Sequence, residues 1–500
     1  MCDFLFQTKY TGIPALIRAF DRAIVQFTWP RMWPREPFCE GSCTGSHTHG
    51  QIASLRAAAG QNGAMRGNTP LGGGAVGRTA LLALALLAAH VAAVVPPNTQ
   101  FVKLDSETTG CLDGSPYAFW VVPGNSSEWE IFISGGGWCL TEALCEARAS
   151  TSALGSSIGY NISGHWGPTA ANINGGSPIL SCEGLDPNCT RVYLPYCDGS
   201  AFSSERAALW PVNGSNATLT FRGRANLDRT LDTLQQRFGF ADAQRLVVTG
   251  GSAGGLSTFL HVDHIADRLQ AAQAVQMEQK VQAVQMEQKA PPQVVGLPNA
   301  GFFIDGPSYN PSKPTFATLV QYGIGMFNAT PPLSAACKAA HVGEEWKCWL
   351  APYAAPFVRQ PLFVVQSRFD EFQLRCLLGL PCMLNEPFGP PYNPDPNCSA
   401  TERTAMVGFG ADLLGKLQPF LDAKPESGIW LVSCIQHGGN APMHGVPAPP
   451  GGGGAETLAF ISWLNGGELG KHISYRWIDD CERNGTTPCN TGRYCAPPHF

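Results

Sequence analysis

The sequence predicts an α/β fold in which a mainly parallel central sheet is flanked by helices. Short apolar runs at 131–134, 246–248, 361–366 and 428–434 have the length and composition of strands buried on both faces. A glycine-rich or polar segment follows each run directly, and apolar residues at helical spacing follow the second run. Parallel strands collect their carboxyl ends along one edge of the sheet, so we expect the functional residues at that edge.

The first run is followed by three glycines and a tryptophan at 135–138. Glycines at the end of a strand let the backbone approach a bound molecule closely. Backbone N–H groups in such a turn can converge on a negatively charged oxygen and form an oxyanion hole. We predict that Gly137 and Trp138 donate these groups together with Ala253. The alternative is an ordinary glycine-rich turn.

The second run leads into a serine framed by glycines, the pattern G-x-S-x-G at 250–254, and then into a helical segment at 255–269. A strand-to-helix turn this tight strains the backbone of its central residue, and side chains on the neighbours would collide, so glycine is needed on both sides. The following helix N-terminus favours a developing negative charge. We predict that Ser252 is a nucleophile. The alternative is a glycine–serine turn without chemistry.

A candidate acid follows the third run, and a candidate base follows the fourth. In α/β-hydrolase-like folds, which have such a turn, these residues follow the serine in the order acid, then histidine. Asp370 is the first acidic residue after the third run, and we predict that it orients the base. His437 follows the fourth run within three residues, and we predict that it is the general base. His444, in a segment rich in proline and glycine, is the competing candidate.

These motifs resemble the pectin acetylesterase family, which includes the Notum-related carboxylesterases. The matching stretches follow the family order over about four fifths of the chain: 135–139, 154–157, 196–200, 221–223, 250–255, 299–303, 361–363 with 369–370, and 433–434 with 437. The roles that the resemblance implies agree with those inferred above for Ser252, Asp370 and His437, and for the oxyanion hole of Gly137, Trp138 and Ala253.

The resemblance implies a serine carboxylesterase that hydrolyses acetyl esters on pectin or a related cell-wall polysaccharide. It implies no cofactor and no metal. Two alternatives stay open: a Notum-like carboxylesterase that removes a fatty acyl group from a protein, and a secreted glycoprotein that binds without turnover. We expect a monomer whose partner is the acetylated polysaccharide.

The net charge of the chain indicates which kinds of molecule it can bind. From residue 96 onward the chain carries 25 basic and 34 acidic side chains. This negative balance argues against binding nucleic acid or an anionic polymer through bulk charge. A uronate substrate would therefore be held by local arginines.

An apolar segment at 79–95 is typical of a secretory signal, with basic residues before it and small residues at its end. Its 17 residues, interrupted by a histidine, are short for a membrane span, so cleavage is favoured over anchoring. We expect a secreted or cell-wall protein. An uncleaved segment would give a single-pass membrane protein with its catalytic domain in the lumen or outside the cell.

We therefore divide the chain into three parts. Residues 1–64 form an N-terminal extension, either disordered or not translated, residues 65–95 a signal peptide or signal anchor, and residues 96–500 one domain with loop insertions. Within the insertion 271–290, an eight-residue sequence occurs twice with a nine-residue step. Nine residues place the two copies on opposite faces of a helix. We interpret the insertion as a solvated extension of the helix after Ser252, with a partner-binding arm as the alternative.

The cysteines and glycosylation sequons indicate a secretory compartment. Fifteen of the 18 cysteines follow residue 95. Some cysteines lie close enough along the chain to bridge, such as Cys139 and Cys145, Cys376 and Cys382, or Cys489 and Cys495. The sequence leaves the connectivity open. Every sequon also follows the apolar segment: Asn125, Asn161, Asn188, Asn213, Asn216, Asn328, Asn397 and Asn484.

Overall fold

A computed structural model describes residues 98–478, apart from 152–153, 159, 161–181, 183, 282–290, 331, 385–396, 438–455 and 467–475. Several sequence predictions fall outside these residues: the extension, the apolar segment 79–95, the second copy of the repeat, His444, the pair Cys489 and Cys495, and the sequons at Asn161 and Asn484.

The described strands form a nine-stranded sheet and a separate two-stranded ribbon. The strands are β1 (Gln100–Lys103), β2 (Ala118–Val122), β3 (Glu128–Ile133), β4 (Thr190–Leu194), β5 (Trp210–Pro211), β6 (Thr218–Leu219), β7 (Arg245–Gly251), β8 (Gln293–Asn299), β9 (Phe363–Asp370), β10 (Gly428–Gln436) and β11 (Arg476–Ile478). The sheet order is β1-β2-β4-β3-β7-β8-β9-β10-β11, and β5 pairs with β6. Pairing is antiparallel from β1 to β4 and parallel from there to β11. The predicted α/β fold with a mainly parallel sheet is confirmed.

The described helices are α1 (Glu142–Thr151), α2 (Gly223–Phe238), α3 (Ala253–Val281), α4 (Phe316–Phe327), α5 (Ala335–Ala340), α6 (Ala351–Ala354), α7 (Pro381–Leu384), α8 (Ala400–Ala423) and α9 (Glu456–Leu464). Their ends follow the local sequence. A capping box begins α8, where the side chains and backbone N–H groups of Ser399 and Glu402 bond to each other. At the end of α2, Gly239 takes the left-handed conformation with φ of 74°. Short 3₁₀ and π turns connect other elements: Phe240–Asp242, Glu345–Trp349, Ala355–Phe357 and Gln373–Leu377.

The sheet separates two apolar layers, which explains the unbroken apolar runs. Side chains alternate between the faces of a strand. In β7, Leu246 and Val248 join the larger core, whereas Val247 joins a second cluster with Trp430 and with Phe460 of α9. All eight residues of β9 are buried. A strand covered on both sides needs apolar residues at nearly every position.

The predicted runs correspond to β3, β7, β9 and β10, and the largest shift of a boundary is at the end of β9. The third run was expected to end at Gln366, but β9 continues to Asp370. The extension pairs Asp370 with Gln436 of β10. Asp370 is therefore the last residue of a strand rather than part of the loop after it.

Five disulfides link described cysteines: Cys111–Cys197, Cys139–Cys145, Cys182–Cys189, Cys337–Cys348 and Cys382–Cys398. The predicted bridge between Cys139 and Cys145 is confirmed. The bridge between Cys376 and Cys382 is wrong, because Cys382 bonds to Cys398. The backbone N–H of Cys382 also donates to Glu402 of α8, so this part of the chain lies at the start of that helix. Proximity along the chain did not reveal that contact.

The first copy of the repeat lies in α3, as predicted, because α3 continues to Val281. It is not wholly solvated. Gln273 donates to the carbonyl of Ala243 at 2.7 Å, and Gln276 donates to Asp242 at 3.0 Å. None of the helices in the described ranges is long and apolar enough to cross a membrane.

Candidate active site

Ser252 occupies the turn between β7 and α3, with a positive φ of 59°. Residues other than glycine rarely adopt this conformation, so the surrounding structure must hold it. The flanking glycines are required by space. A Cβ on Gly254 would lie 2.0 Å from the carbonyl oxygen of Ile133, and a Cβ on Gly250 would lie 2.5 Å from that of Gly254. The serine N–H donates to the carbonyl of Asn299 at 2.9 Å, which fixes the turn on the end of β8.

The predicted acid and base lie side by side at the ends of β9 and β10. Nδ1 of His437 is 2.8 Å from Oδ2 of Asp370. The two side chains are 2% and 0% exposed, respectively, so water competes little for this hydrogen bond. The strand register produces the contact, since Gln436 pairs with Asp370 and His437 follows directly.

The environment of His437 favours its charged form. Burial by itself would lower the pKa of His437, but the negative charge of Asp370 and the hydrogen bond to it outweigh burial and raise the pKa. The rings of Phe372 and Phe303 lie 5.5 Å and 6.2 Å from the imidazole. This environment suits a base that must carry a proton for part of a reaction cycle.

We expect the pH profile of kcat/KM to fall on the acid side with an apparent pKa above the ordinary histidine value of about 6.5. The sign follows because protonated His437 cannot accept a proton, and its pKa is raised. Asp370→Asn should move this acid limb to lower pH, since burial is then opposed by less negative charge. Asp267→Asn removes an exposed charge on α3 and is the control. An acid limb that stays in place in Asp370→Asn would contradict the pairing.

Two buried glutamines hold Asp370. Nε2 of Gln366 lies 3.3 Å from Oδ2 of Asp370, and its Oε1 accepts the N–H of Phe302. The backbone N–H of Gln373 donates to Oδ1 at 2.9 Å, and its side chain bonds to the carbonyl of Phe302 and the N–H of Ile304. The carboxylate is therefore oriented through both of its oxygens.

The glycine-rich loop after β3 lies against the serine turn. A Cβ on Gly135 would be 2.9 Å from Cβ of Ser252. In the described part of the chain, the N–H groups of Gly137 and Trp138 donate to no acceptor. The first N–H groups of a helix have no intrahelical acceptor either, and Ala253 is the first residue of α3. The predicted oxyanion donors thus come from two segments that meet at Ser252.

The loop at 299–303 links the serine to the histidine. Asn299 accepts the N–H of Ser252, and Phe303 contacts both His437 and Trp138. The Trp138 side chain is buried against further aromatic rings: Phe316, Trp349 and Phe372. These contacts bring the residues predicted from four separate runs to one edge of the sheet.

A buried aspartate, Asp198, stabilises a turn that contacts the glycine-rich loop. Oδ2 of Asp198 accepts hydrogen bonds from Ser200 and from the N–H of Phe202. Burial raises the pKa of Asp198 to about 6, and these hydrogen bonds oppose the rise. In the same turn, the carbonyl of Gly199 accepts the N–H of Cys139 at 3.2 Å. The turn at 198–202 thus fixes the far end of the loop.

Sequence analysis gave no role to Gln366, Gln373 or Asp198. A glutamine inside an otherwise apolar run was a visible signal for Gln366, because a buried polar side chain needs partners. Gln373 and Asp198 had no comparable signal, since their partners come from distant parts of the chain.

The sequence of the chain is similar to those of known proteins. The family model for pectinacetylesterase matches residues 92–480. Palmitoleoyl-protein carboxylesterase NOTUM from Schmidtea mediterranea is 28% identical over 54% of this chain and 48% of its own length. Pectin acetylesterase 7 from Arabidopsis thaliana is 27% identical over 73% of this chain and 85% of its own length. The chain thus spans about half of the planarian relative and most of the plant relative.

The fold also matches a solved structure. The structure of the Wnt deacylase Notum from Drosophila aligns with a TM-score of 0.58 and 21% sequence identity. The alignment covers 78% of this chain and 99% of that chain. At this identity the match shows that the two proteins share a fold.

Proposed function

Because this chain belongs to the pectinacetylesterase family, we propose that it is a serine carboxylesterase that hydrolyses acetyl esters on pectin or a related cell-wall polysaccharide. The observation that carries the proposal is the 2.8 Å hydrogen bond between His437 and Asp370, formed at the same sheet edge as the strained turn of Ser252. A nucleophile, a base and a third group that orients the base are the parts that acyl transfer requires. Relatives from a plant and an animal are named as esterases.

In the proposed first step, Oγ of Ser252 attacks the ester carbonyl carbon while His437 accepts the hydroxyl proton. The hydrogen bond from Nδ1 to Asp370 stabilises the resulting imidazolium. The carbonyl oxygen becomes an oxyanion and accepts N–H groups from the oxyanion hole, formed by Gly137, Trp138 and Ala253. When the tetrahedral intermediate collapses, the C–O bond to the sugar breaks and His437 gives its proton to the departing sugar oxygen.

The second step releases the acid. Water attacks the acyl-serine, His437 accepts a proton from that water, and the same oxyanion hole stabilises the second tetrahedral intermediate. Breaking the bond to Ser252 returns the proton to its hydroxyl group and frees acetate. No redox change occurs.

Acetylated polysaccharide is the favoured substrate class because the plant relative is matched over 85% of its length, whereas the planarian carboxylesterase is matched over 48%. The identities are 27% and 28%, so identity does not separate the two. Removal of a fatty acyl group from a protein is the second candidate. Secretion is part of the proposal and is supported by the five disulfides between described cysteines.

Acyl-chain length separates the two enzyme candidates. Each methylene in a matching apolar pocket contributes about 0.8 kcal/mol at most, or roughly fourfold in binding. We expect kcat/KM for para-nitrophenyl acetate, butyrate and octanoate to be flat or to fall beyond the shorter chains. Acetate release from acetylated pectin and acetylated xylan is measured alongside. A steady rise through octanoate would replace the acetylesterase proposal with the fatty-acyl one, and inactivity on every ester would favour a binding protein.

A further inference from the structure

A buried arginine contacts the carbonyl groups of the glycine-rich loop. Arg148 lies in α1 and is 3% exposed. Its Nη1 donates to the carbonyl oxygen of Gly136 at 2.7 Å, and its Nη2 approaches that of Trp138 at 3.4 Å. Burying a guanidinium is costly unless its N–H groups are hydrogen-bonded. Part of that requirement is met here by the backbone whose N–H groups are predicted to bind the oxyanion.

Peptide geometry links the two faces of this loop. In a trans peptide, the carbonyl of one residue and the N–H of the next point in opposite directions. The carbonyl of Gly136 is directed to Arg148, so the N–H of Gly137 is directed away from the arginine. The peptide after Trp138 is held at both ends, since its carbonyl faces Arg148 and the N–H of Cys139 donates to Gly199. The contact with Gly136 therefore sets the direction of the Gly137 N–H, and the Trp138 N–H belongs to the peptide between the two that Arg148 contacts.

The loop needs such a contact because its own sequence does not fix its conformation. Gly136 and Gly137 have positive φ angles of 151° and 61°. Glycine adopts positive and negative φ about equally well, so two glycines in succession allow the intervening peptide to take the opposite orientation. The disulfide between Cys139 and Cys145 ties α1, which carries Arg148, to the end of the same loop.

We propose that Arg148 is a positioning residue that holds the N–H groups of Gly137 and Trp138 in the orientation that binds the oxyanion. The inference rests on the acyl-serine mechanism proposed above. The guanidinium also polarises the peptide of Gly136 through its carbonyl, which strengthens the N–H of Gly137 as a donor. In this proposal Arg148 acts through the loop and not on the substrate or the transferred proton, so its effect should appear in the transition state and not in substrate binding.

The test compares Arg148→Met and Arg148→Lys with the wild-type full-length enzyme, using para-nitrophenyl acetate. Loss of one oxyanion donor costs about 10²–10³-fold in kcat. We expect Arg148→Met to lower kcat about 10²-fold per active site with KM changed less than about threefold. The inhibition constant of a trifluoromethyl ketone, which forms a tetrahedral adduct with an oxyanion, should rise by a similar factor. Arg148→Lys should give a smaller loss than Arg148→Met, because the ammonium group can still donate to one of the two carbonyls. It should not restore wild-type kcat, since one ammonium group cannot form the two-pronged contact.

The matched control is Arg206→Met. Arg206 also donates to two backbone carbonyls, those of Met326 and Gly325, but at the far end of α4. The Arg206→Met enzyme should keep the wild-type kcat and the wild-type affinity for the inhibitor. Thermal unfolding and active-site titration separate loss of fold from loss of function, and Arg148→Lys carries the test if Arg148→Met does not fold.

Wild-type kcat and inhibitor affinity in the folded Arg148 variants would overturn the positioning role. A purely structural arginine would lower the titrated fraction or the melting temperature and leave both constants unchanged per active site. Failure of the acyl-serine mechanism looks different: the wild-type enzyme would be inactive, or Ser252→Ala would retain turnover.

Discussion

Ser252→Ala is expected to lower kcat by about 10⁴-fold or more and to abolish labelling by a fluorophosphonate probe. Only an activated serine is phosphonylated, and the proposed mechanism has no other nucleophile. The variant should fold normally, because alanine fits the space of serine and Ser252 is already held at its positive φ by the turn. Ester turnover and probe labelling of the purified protein check this result.

Ser257→Ala is the matched control for the nucleophile. Ser257 is also buried, and it lies five residues further along α3. Its hydroxyl donates to the carbonyl of Ala253 inside the helix at 2.9 Å, so it has a structural role. We expect normal labelling in this variant. Labelling that persists in Ser252→Ala would place the nucleophile elsewhere.

His437→Ala should lower kcat by several orders of magnitude, about as much as loss of the nucleophile. The reason is that the serine hydroxyl is a weak nucleophile until a base takes its proton. The hydrogen bond to Asp370 is the observation that supports His437 as that base. Steady-state turnover of para-nitrophenyl acetate, corrected for background hydrolysis, measures the loss.

His444→Ala supplies the comparison that the sequence invites, since His444 was the competing candidate for the base. It lies outside the described residues, so the assay decides its role independently of the structure. We expect a loss of no more than about tenfold. A larger loss in His444→Ala than in His437→Ala would reverse the assignment and separate the base from Asp370.

The serine turn illustrates how far local sequence reaches. The need for glycine at Gly250 and Gly254 depends on atoms within a few residues and on one neighbouring strand. The sequence motif was therefore enough to predict the turn. Strands buried on both faces are similarly visible, because each position must be apolar whatever it contacts. The sequence therefore predicted β3, β7, β9 and β10, and with them the edge at which Ser252 lies.

The partners of Asp370 illustrate what local sequence leaves open. Gln366 was part of a predicted strand, yet its bond to Asp370 depends on how β9 continues past the expected end and on where Phe302 lies. The correction of the cysteine pairing has the same origin, since Cys382 meets Cys398 at the start of α8. Short separation along the chain says little about which side of the chain a residue faces.

The sequence by itself determined the fold class and the serine turn, because these depend on burial and on backbone sterics within a few residues. The choice of Asp370 and His437 as candidate acid and base also used the order known for such folds. Tertiary structure alone decided that His437 meets Asp370 through the register of β10 on β9. It also decided that Arg148 approaches the glycine-rich loop from α1. A hydrogen bond requires two groups to be placed within a few tenths of an ångström, and that precision comes from packing across the whole core.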